Sequence, residues 1–431
     1  MTTMTTPPSR EPHFVSSHQE SMLSLIIPTY NRPTWIASLL GYLASANAPI
    51  SLVILDSSEP DIAERNAELV NRLASGSQHI VYPKNVAFKD KLLDGLRRID
   101  TEFCAFCADD DMVIPGALAE SVRFLQSHPD YVGAHGLYFA YSGSIGKYFV
   151  DEILYCHRSL DQVTALERLE SLFDDYQSNF YGVYRTKVQC KAFEVAVQQD
   201  NSLFFELMQS SHTAVSGKIA RLPIIYGGRS RSASAGSPRQ WHPVEWIAAD
   251  PGGYLAGYSR YRAPLLSAIL DAYPDHGSSQ QVKQDTEVLF DLIHLRYSLD
   301  SIKIGGLSAA IRARMAHTSE DGVISAAFAG AYGPQLPAPI SVGGTTWQLC
   351  QRLAQIMAPL TRLFKRSVDT TQSPDRPEGA RQILNGKNAQ VEFNDHVPAK
   401  LDAFDPALHG NGLESILHAL DTYSQTSVSE S

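Results

Sequence analysis

The feature that most limits this fold is a strand–helix rhythm that begins near residue 22 and continues past residue 115. MLSLIIPTYNRP is an apolar run stopped by Pro28, and TWIASLLGYLASA repeats Ile36, Leu39, Leu40 and Leu43 at helical spacing. ISLVILDSS is a second apolar run, ending at Asp56, followed by DIAERNAELVNRLASG with its glycine stop. HIVYP and KDKLLDGLRRI repeat the pattern, and FCAFCA then runs into Asp109, Asp110 and Asp111. Strands that alternate with helices imply a parallel sheet covered on both faces. Ligands collect in the loops at the carboxyl ends of such strands.

Further on, GALAESVRFLQSHP is helical, YVGAHGLYFAYSG and KYFVDEILY are strand-like, and SLDQVTALERLESLFDD is helical again. SNFYGVYR suits a strand or a loop, SLFFELMQSSHTAVSG a helix, and KIARLPIIYGG a strand leading into the basic loop GRSRSAS. From Trp246 the patterns are helical only, as in YRAPLLSAILDAY and QDTEVLFDLIHLRYSL. The expected organisation is a disordered tail over 1–20, an α/β domain over 21–245 and a mainly α-helical region over 246–364. A polar linker over 365–380 and an extension over 381–431, ending in a disordered tail, complete it. Within the helical region Trp347, Cys350, Leu353, Met357, Leu360 and Phe364 form a stripe that suits packing on the rest of the protein or on a second copy. Arg362, Lys365 and Arg366 at its end admit peripheral membrane docking as a minor alternative.

Composition excludes some classes of function. With 36 basic and 46 acidic residues the formal charge is −10, which opposes general nucleic-acid binding. The five cysteines are few and odd in number, as expected of reduced thiols in a cytoplasm. Cys104 and Cys107 form a C-x-x-C, but their odd separation in a strand directs them to opposite faces, against a metal or redox pair. The polar N-terminus lacks the apolar core of a signal peptide, and no run of about twenty apolar residues marks a membrane span. A soluble, cytoplasmic protein is expected.

The succession LSLIIPTYNRP, ILDSS, KNVAFKDKLLDG and FCAFCADDDMVIPGAL resembles the family-2 glycosyltransferases with the GT-A fold. The likeness covers about residues 22–235 and implies a GT-A-like, mostly parallel sheet flanked by helices. It implies transfer of a sugar from a nucleoside-diphosphate sugar to a saccharide or other hydroxyl acceptor, with inversion and with Mg²⁺ or Mn²⁺. On this resemblance Pro28, Thr29, Tyr30 and Arg32, beside Asn31, lie against the nucleotide, and Asp56 accepts from the base. Among Lys84, Asn85, Lys89, Lys91 and Asp94, Lys91 is the choice for a nucleotide or phosphate contact.

The aspartate triplet stands at the family's DxD position. Asp109 and Asp110 are expected on the sugar nucleotide, and Asp111 with Asp109 on the metal. Strand alternation would turn Asp109 and Asp111 to one side and Asp110 away, whereas alignment on Pro115 matches Asp110 and Asp111 to the family's final pair, with Ala108 in place of its first aspartate. Glu206 occupies the position of the catalytic base, with Asp174, Asp175 and Asp200 as competitors because the usual Glu-Asp pair is missing. Arg229, with Arg231, is expected near the diphosphate, and His212 is expected to be packed. His135, Tyr138, Tyr181 and Tyr184 are the candidates for stacking on the acceptor. Two other classes remain open: a non-catalytic sugar-nucleotide-binding or assembly module on the same fold, and, more weakly, a nucleotidyltransferase.

Overall fold

The computed structural model describes residues 382–427 and residues 21–305, the latter without 47–49, 75–76, 145, 232–242, 244–245, 248–249 and 273–279. The N-terminal tail, the stripe from Trp347 to Phe364 and the 365–380 linker lie outside the described residues.

The expected rhythm forms β1 (Leu23–Thr29), α1 (Pro33–Ser45), β2 (Ser51–Asp56), α2 (Pro60–Leu73), β3 (Gln78–Val81), α3 (Phe88–Arg97) and β4 (Phe103–Phe106). Pro33 and Pro60 open their helices, where the missing N–H costs no helical hydrogen bond. These strands pair in parallel in the order β3-β2-β1-β4. Next come β5 (Met112–Val113), α4 (Pro115–Ser127), β6 (Tyr131–Ser144), β7 (Lys147–Leu154), α5 (Ala165–Asp174), β8 (Val183–Arg185), α6 (Thr186–Ala196), α7 (Ser202–Ser216) and β9 (Lys218–Ser230). Here the sheet becomes mixed: β8 lies antiparallel between β4 and β6, β7 is antiparallel to β6, and β9 runs parallel to β6 and antiparallel to β5.

The strand period of two sorts the core into two layers. Leu25, Ile27, Leu52, Ile54, Phe103 and Cys107 pack on one side of the sheet, with α1 and α4. Ile26, Val53, Leu55, Cys104 and Phe106 pack on the other, with α3, α6 and α7. Full burial of each such aliphatic or aromatic side chain stabilises the fold by about 1.5–3 kcal/mol. Cys104 and Cys107 therefore sit in different layers as free thiols, and burial pushes the Cys104 thiol up to about 12.

Beyond β9 the described helices are α8 (Pro251–Asp271) and α9 (Gln280–Gly305). Tyr261, Leu265 and Phe290 from these two helices join the second core layer. The chain then returns as β10 (Gln382–Asn385), β11 (Gln390–Phe393), α10 (His396–Phe404) and α11 (Leu408–Ser427). This return is part of the main sheet. β11 pairs in parallel with β7, Tyr423 meets Tyr42 of α1 edge-on, and Ser424 donates to the Tyr148 hydroxyl at 3.1 Å. No helix among the described residues is long and apolar enough to cross a membrane.

Candidate active site

The carboxyl ends of β1, β2 and β4 meet at one place, and a buried lysine ties two of them together. Lys91 of α3, only 4% exposed, donates from Nζ to the Thr29 carbonyl at 3.2 Å and to Ser57 Oγ at 2.9 Å. Burial lowers its pKa to about 8, against the pull of Asp56 and Asp109. Asn31 turns the chain after β1 with φ 54°, a left-handed conformation that asparagine tolerates well. Its N–H donates to Ser58 Oγ at 2.8 Å and its Oδ1 accepts from the Glu59 N–H at 2.9 Å.

The three aspartates divide their work. Thr29 Oγ1 donates to Asp109 Oδ2 at 2.7 Å, and Arg32 Nη1 donates to Asp109 Oδ1 at 3.1 Å and to Asp110 Oδ2 at 2.8 Å. Asp109 and Asp110 thus share one guanidinium, and Asp111 faces elsewhere. The pairing of Asp109 with Asp111 expected from strand alternation does not form. β4 ends at Phe106, and the Asp111 N–H bonds to the Ala108 carbonyl at 3.2 Å, so the triplet lies in a turn where the two-residue period no longer applies.

Asp111 points to the returning strand β9. The Ser230 N–H donates to its Oδ1 at 3.1 Å. Burial and the neighbouring Asp110 charge push its pKa up to about 7, partly countered by Arg229 and by the Ser230 N–H. β9 comes this close because its path is made of glycines. A Cβ on Gly227 would stand 2.4 Å from the Met112 carbonyl oxygen, and one on Gly228 would stand 2.5 Å from the Phe139 ring. The next residue, Arg229, donates from Nη1 to the Tyr155 hydroxyl at 3.0 Å and lies 5.9 Å from the centre of the Tyr181 ring. Glu206 on α7 accepts from the Tyr176 hydroxyl at 3.1 Å, and both Glu206 and Asp111 lie within electrostatic reach of Tyr155.

Residues 24–186 match the profile of glycosyl transferase family 2. This segment is a family-2 glycosyltransferase domain. Strand ends β1, β2 and β4, the aspartate triplet and Tyr155 all fall within it, while Glu206 and Arg229 lie beyond it. Among solved structures the chain is similar to S. aureus TarS 1–349, with 16% identity, 72% of this chain and 88% of that chain covered, and a TM-score of 0.44. The same protein in complex with UDP-GlcNAc gives a TM-score of 0.42 at the same identity and coverage. The mannosyltransferase PcManGT from Pyrobaculum calidifontis, in complex with GDP-Man and Mn²⁺, is 14% identical, with 78% of this chain and 86% of that chain covered and a TM-score of 0.34. No curated protein matches the chain.

Within the family-2 domain Pro28 is half-buried, Thr29 is buried and Tyr30 is exposed. Asp56 is fully buried. It accepts from the Ser58 N–H at 2.8 Å and from Asn66 Nδ2 at 2.8 Å, with His79 Nε2 at 3.1 Å. Burial alone would raise its pKa, but the hydrogen bonds from His79, Ser58 and Asn66 outweigh it and hold the group down at about 2. A base N–H would reach this carboxylate only by displacing one of those donors. Beside it Ser58, Pro60, Val81, Tyr82 and Lys84 line a mainly apolar groove.

The other polar residues of the region serve the scaffold. Lys89 donates to the carbonyls of Val197 at 2.6 Å and Gln199 at 2.7 Å, Asp94 pairs with Arg98, and exposed Lys84 pairs with Glu59. Asp174 pairs with Arg296, Asp200 pairs with Arg260 at 2.5 Å, and Asp175 accepts from Gln177 at 3.4 Å. Arg231 is held by Asp151 at 2.8 Å and Glu152 at 2.7 Å, and His212 is buried. His135, Tyr138 and Tyr184 are buried in the core and cannot stack on an acceptor. Only Tyr181 of that expected set is partly exposed. Tyr155 carries no sequence motif and was not among the expected site residues.

The donor set can be tested against a divalent cation. Both oxygens of Asp109 are taken by Thr29 and Arg32, whereas Asp110 Oδ1 and Asp111 Oδ2 have no hydrogen-bond partner among the described residues. No three His, Cys, Asp or Glu side chains converge as a metal cage among the described residues. Mg²⁺ and its relatives are commonly held by one or two carboxylates plus substrate phosphates, and the two unpartnered oxygens are of the hard type such an ion takes.

Proposed function

We propose that the chain transfers a sugar from a nucleoside-diphosphate sugar to an acceptor hydroxyl, inverting the anomeric centre. The observation that carries this reading is the grouping of Asp111, Arg229 and Glu206 around Tyr155, against strand ends of a family-2 domain. Tyr30 and the groove beside Ser58 and Tyr82 receive the base, and the Thr29–Asp109–Arg32 chain shapes the floor under the ribose and diphosphate. Asp110 and Asp111 would hold Mg²⁺ or Mn²⁺, which supplies neutralisation of the charge that grows on the departing diphosphate. Arg229 places a permanent positive charge on the same side. Glu206 takes the proton of the acceptor hydroxyl as that oxygen attacks. Partly exposed Tyr181 presents an aromatic edge to the acceptor.

The test is a screen of uridine, guanosine, thymidine and cytidine diphosphate sugars for stabilisation against melting, with and without Mn²⁺, followed by transfer assays. One donor is expected to raise the melting temperature in the presence of metal. Asp111→Asn should remove the metal-dependent part, and Glu206→Gln should cut transfer by roughly a hundredfold or more while donor binding stays. Stabilisation without transfer to any acceptor, or hydrolysis, would instead mark a binding module on the same fold. If none of these donors shifts melting under either condition, the transferase reading fails.

A further inference from the structure

Three observations meet at Tyr155. It follows β7 with φ 58°, in the left-handed region that glycine and asparagine occupy easily and an aromatic residue rarely does. The ring is nonetheless buried, set edge-on against Tyr138 with centroids 5.3 Å apart. Its hydroxyl accepts from Arg229 Nη1 at 3.0 Å, the only hydrogen bond of that exposed guanidinium among the described residues. Among the described residues Arg229 is the one hydrogen-bond partner of this hydroxyl. An unfavourable backbone conformation kept by surrounding packing is characteristic of sites where geometry matters more than local stability.

We propose that Tyr155 is a positioning residue of the transfer site: its hydroxyl holds Arg229 beside Asp111, so that the guanidinium meets the diphosphate. The inference rests on the transferase reading above and adds the device that fixes its anion-binding arginine. An arginine on the last turn of a strand has four rotatable side-chain bonds. Without the phenol it keeps the Tyr181 ring, 5.9 Å away, and the charge of Asp111, neither of which fixes its direction as a hydrogen bond does.

The experiment uses the full chain and whichever of the uridine, guanosine, thymidine or cytidine diphosphates binds the wild type most tightly by calorimetry in Mn²⁺. Tyr155→Phe, Arg229→Ala and the double variant are compared. Tyr155→Phe is expected to weaken diphosphate binding about tenfold, as for loss of a hydrogen bond to a charged group, with its melting temperature unchanged. The double variant is expected to bind no more weakly than Arg229→Ala alone, because the phenol acts through the arginine. Tyr155→Asn, which accepts the left-handed backbone, should show the same coupling and guards against a folding defect peculiar to phenylalanine. Binding by Tyr155→Phe equal to wild type, or losses that add in full in the double variant, overturns this inference and leaves the transferase reading standing. A wild type that binds none of the four diphosphates overturns both.

Discussion

Replacing Lys91 by methionine should stabilise the protein at neutral pH. The ammonium is buried beneath the ends of β1 and β2, and its pKa falls from 10.5 to about 8. A drop of that size corresponds to about 3 kcal/mol of unfavourable charge burial at pH 7, at about 1.4 kcal/mol per unit. Methionine fills similar volume without the charge, but it removes the donors to the Thr29 carbonyl and Ser57 Oγ. The Thr29 carbonyl keeps the Ser57 N–H at 3.2 Å, so the offset is mainly one hydroxyl's lost partner, about 1–2 kcal/mol. The net gain is about 1–2 kcal/mol, or a rise of roughly 2–8 °C in melting temperature at a few degrees per kcal/mol. The sign with pH follows from linkage. Between pH 8 and 10.5 the unfolded chain holds the lysine proton and the folded one releases it, so wild-type stability gains with rising pH over that window. The advantage of Lys91→Met should therefore shrink from pH 8 upward and be gone, or reversed, by about pH 10.5. Paired thermal melts of both proteins at several pH values read this directly, because titrations common to both cancel. A variant that melts below the wild type at pH 7, or a difference that stays constant across the window, would refute the argument that Lys91 is held charged at a cost.

Other perturbations differ in sign. Asp56→Ala should destabilise at pH 7 by about 2–3 kcal/mol, since the carboxylate is held at about 2 rather than its usual 3.8 and three donors lose their acceptor. That contribution is present above pH 4 and is lost as pH falls towards 2, so urea denaturation of variant and wild type should converge in acid. Gly227→Ala should cost about 1–3 kcal/mol and loosen β9, because the new methyl meets the Met112 carbonyl at 2.4 Å. Gly116→Ala, in the first turn of α4 with nothing within 4 Å, should be neutral or stabilising by up to about 1 kcal/mol in the same assay.

What the sequence made legible follows from how far apart in the chain the partners are. The parallel strands, their two core layers and the acidic cluster could be read because each depends on residues within one strand–turn–helix unit. The division of labour among Asp109, Asp110 and Asp111 could not, because it is decided by where β4 stops and by Arg32, some 77 positions away. His135, Tyr138 and Tyr184 looked like acceptor residues by type. However, β6 and β8 lie inside the sheet with both faces covered, so strand parity gives no hint of exposure. The short hairpin β10–β11 gave little periodic signal and acquires its place only by pairing with β7.

The same reasoning separates the two sides of the candidate site. One side is local: Thr29, Arg32, Asp56 and the triplet all lie at or just beyond the ends of strands of one parallel run. The facing side is carried by β7, α7 and β9, and its contacts are long-range, with Asp111 bonded to Ser230 across 119 positions and Tyr155 to Arg229 across 74. Three small features allow those returning elements to close on these strand ends. They are the Gly227-Gly228 pair, the left-handed turn at Tyr155 and the break of β4 before the aspartates. None of them has an apolar period for a sequence reading to detect. The glycine pair just before Arg229 is the one of the three with a visible signature, since adjacent glycines in an apolar strand pattern signal close backbone approach. The arginine after them is thereby marked as a residue brought against another strand, even though the strand it meets is set only by the tertiary fold.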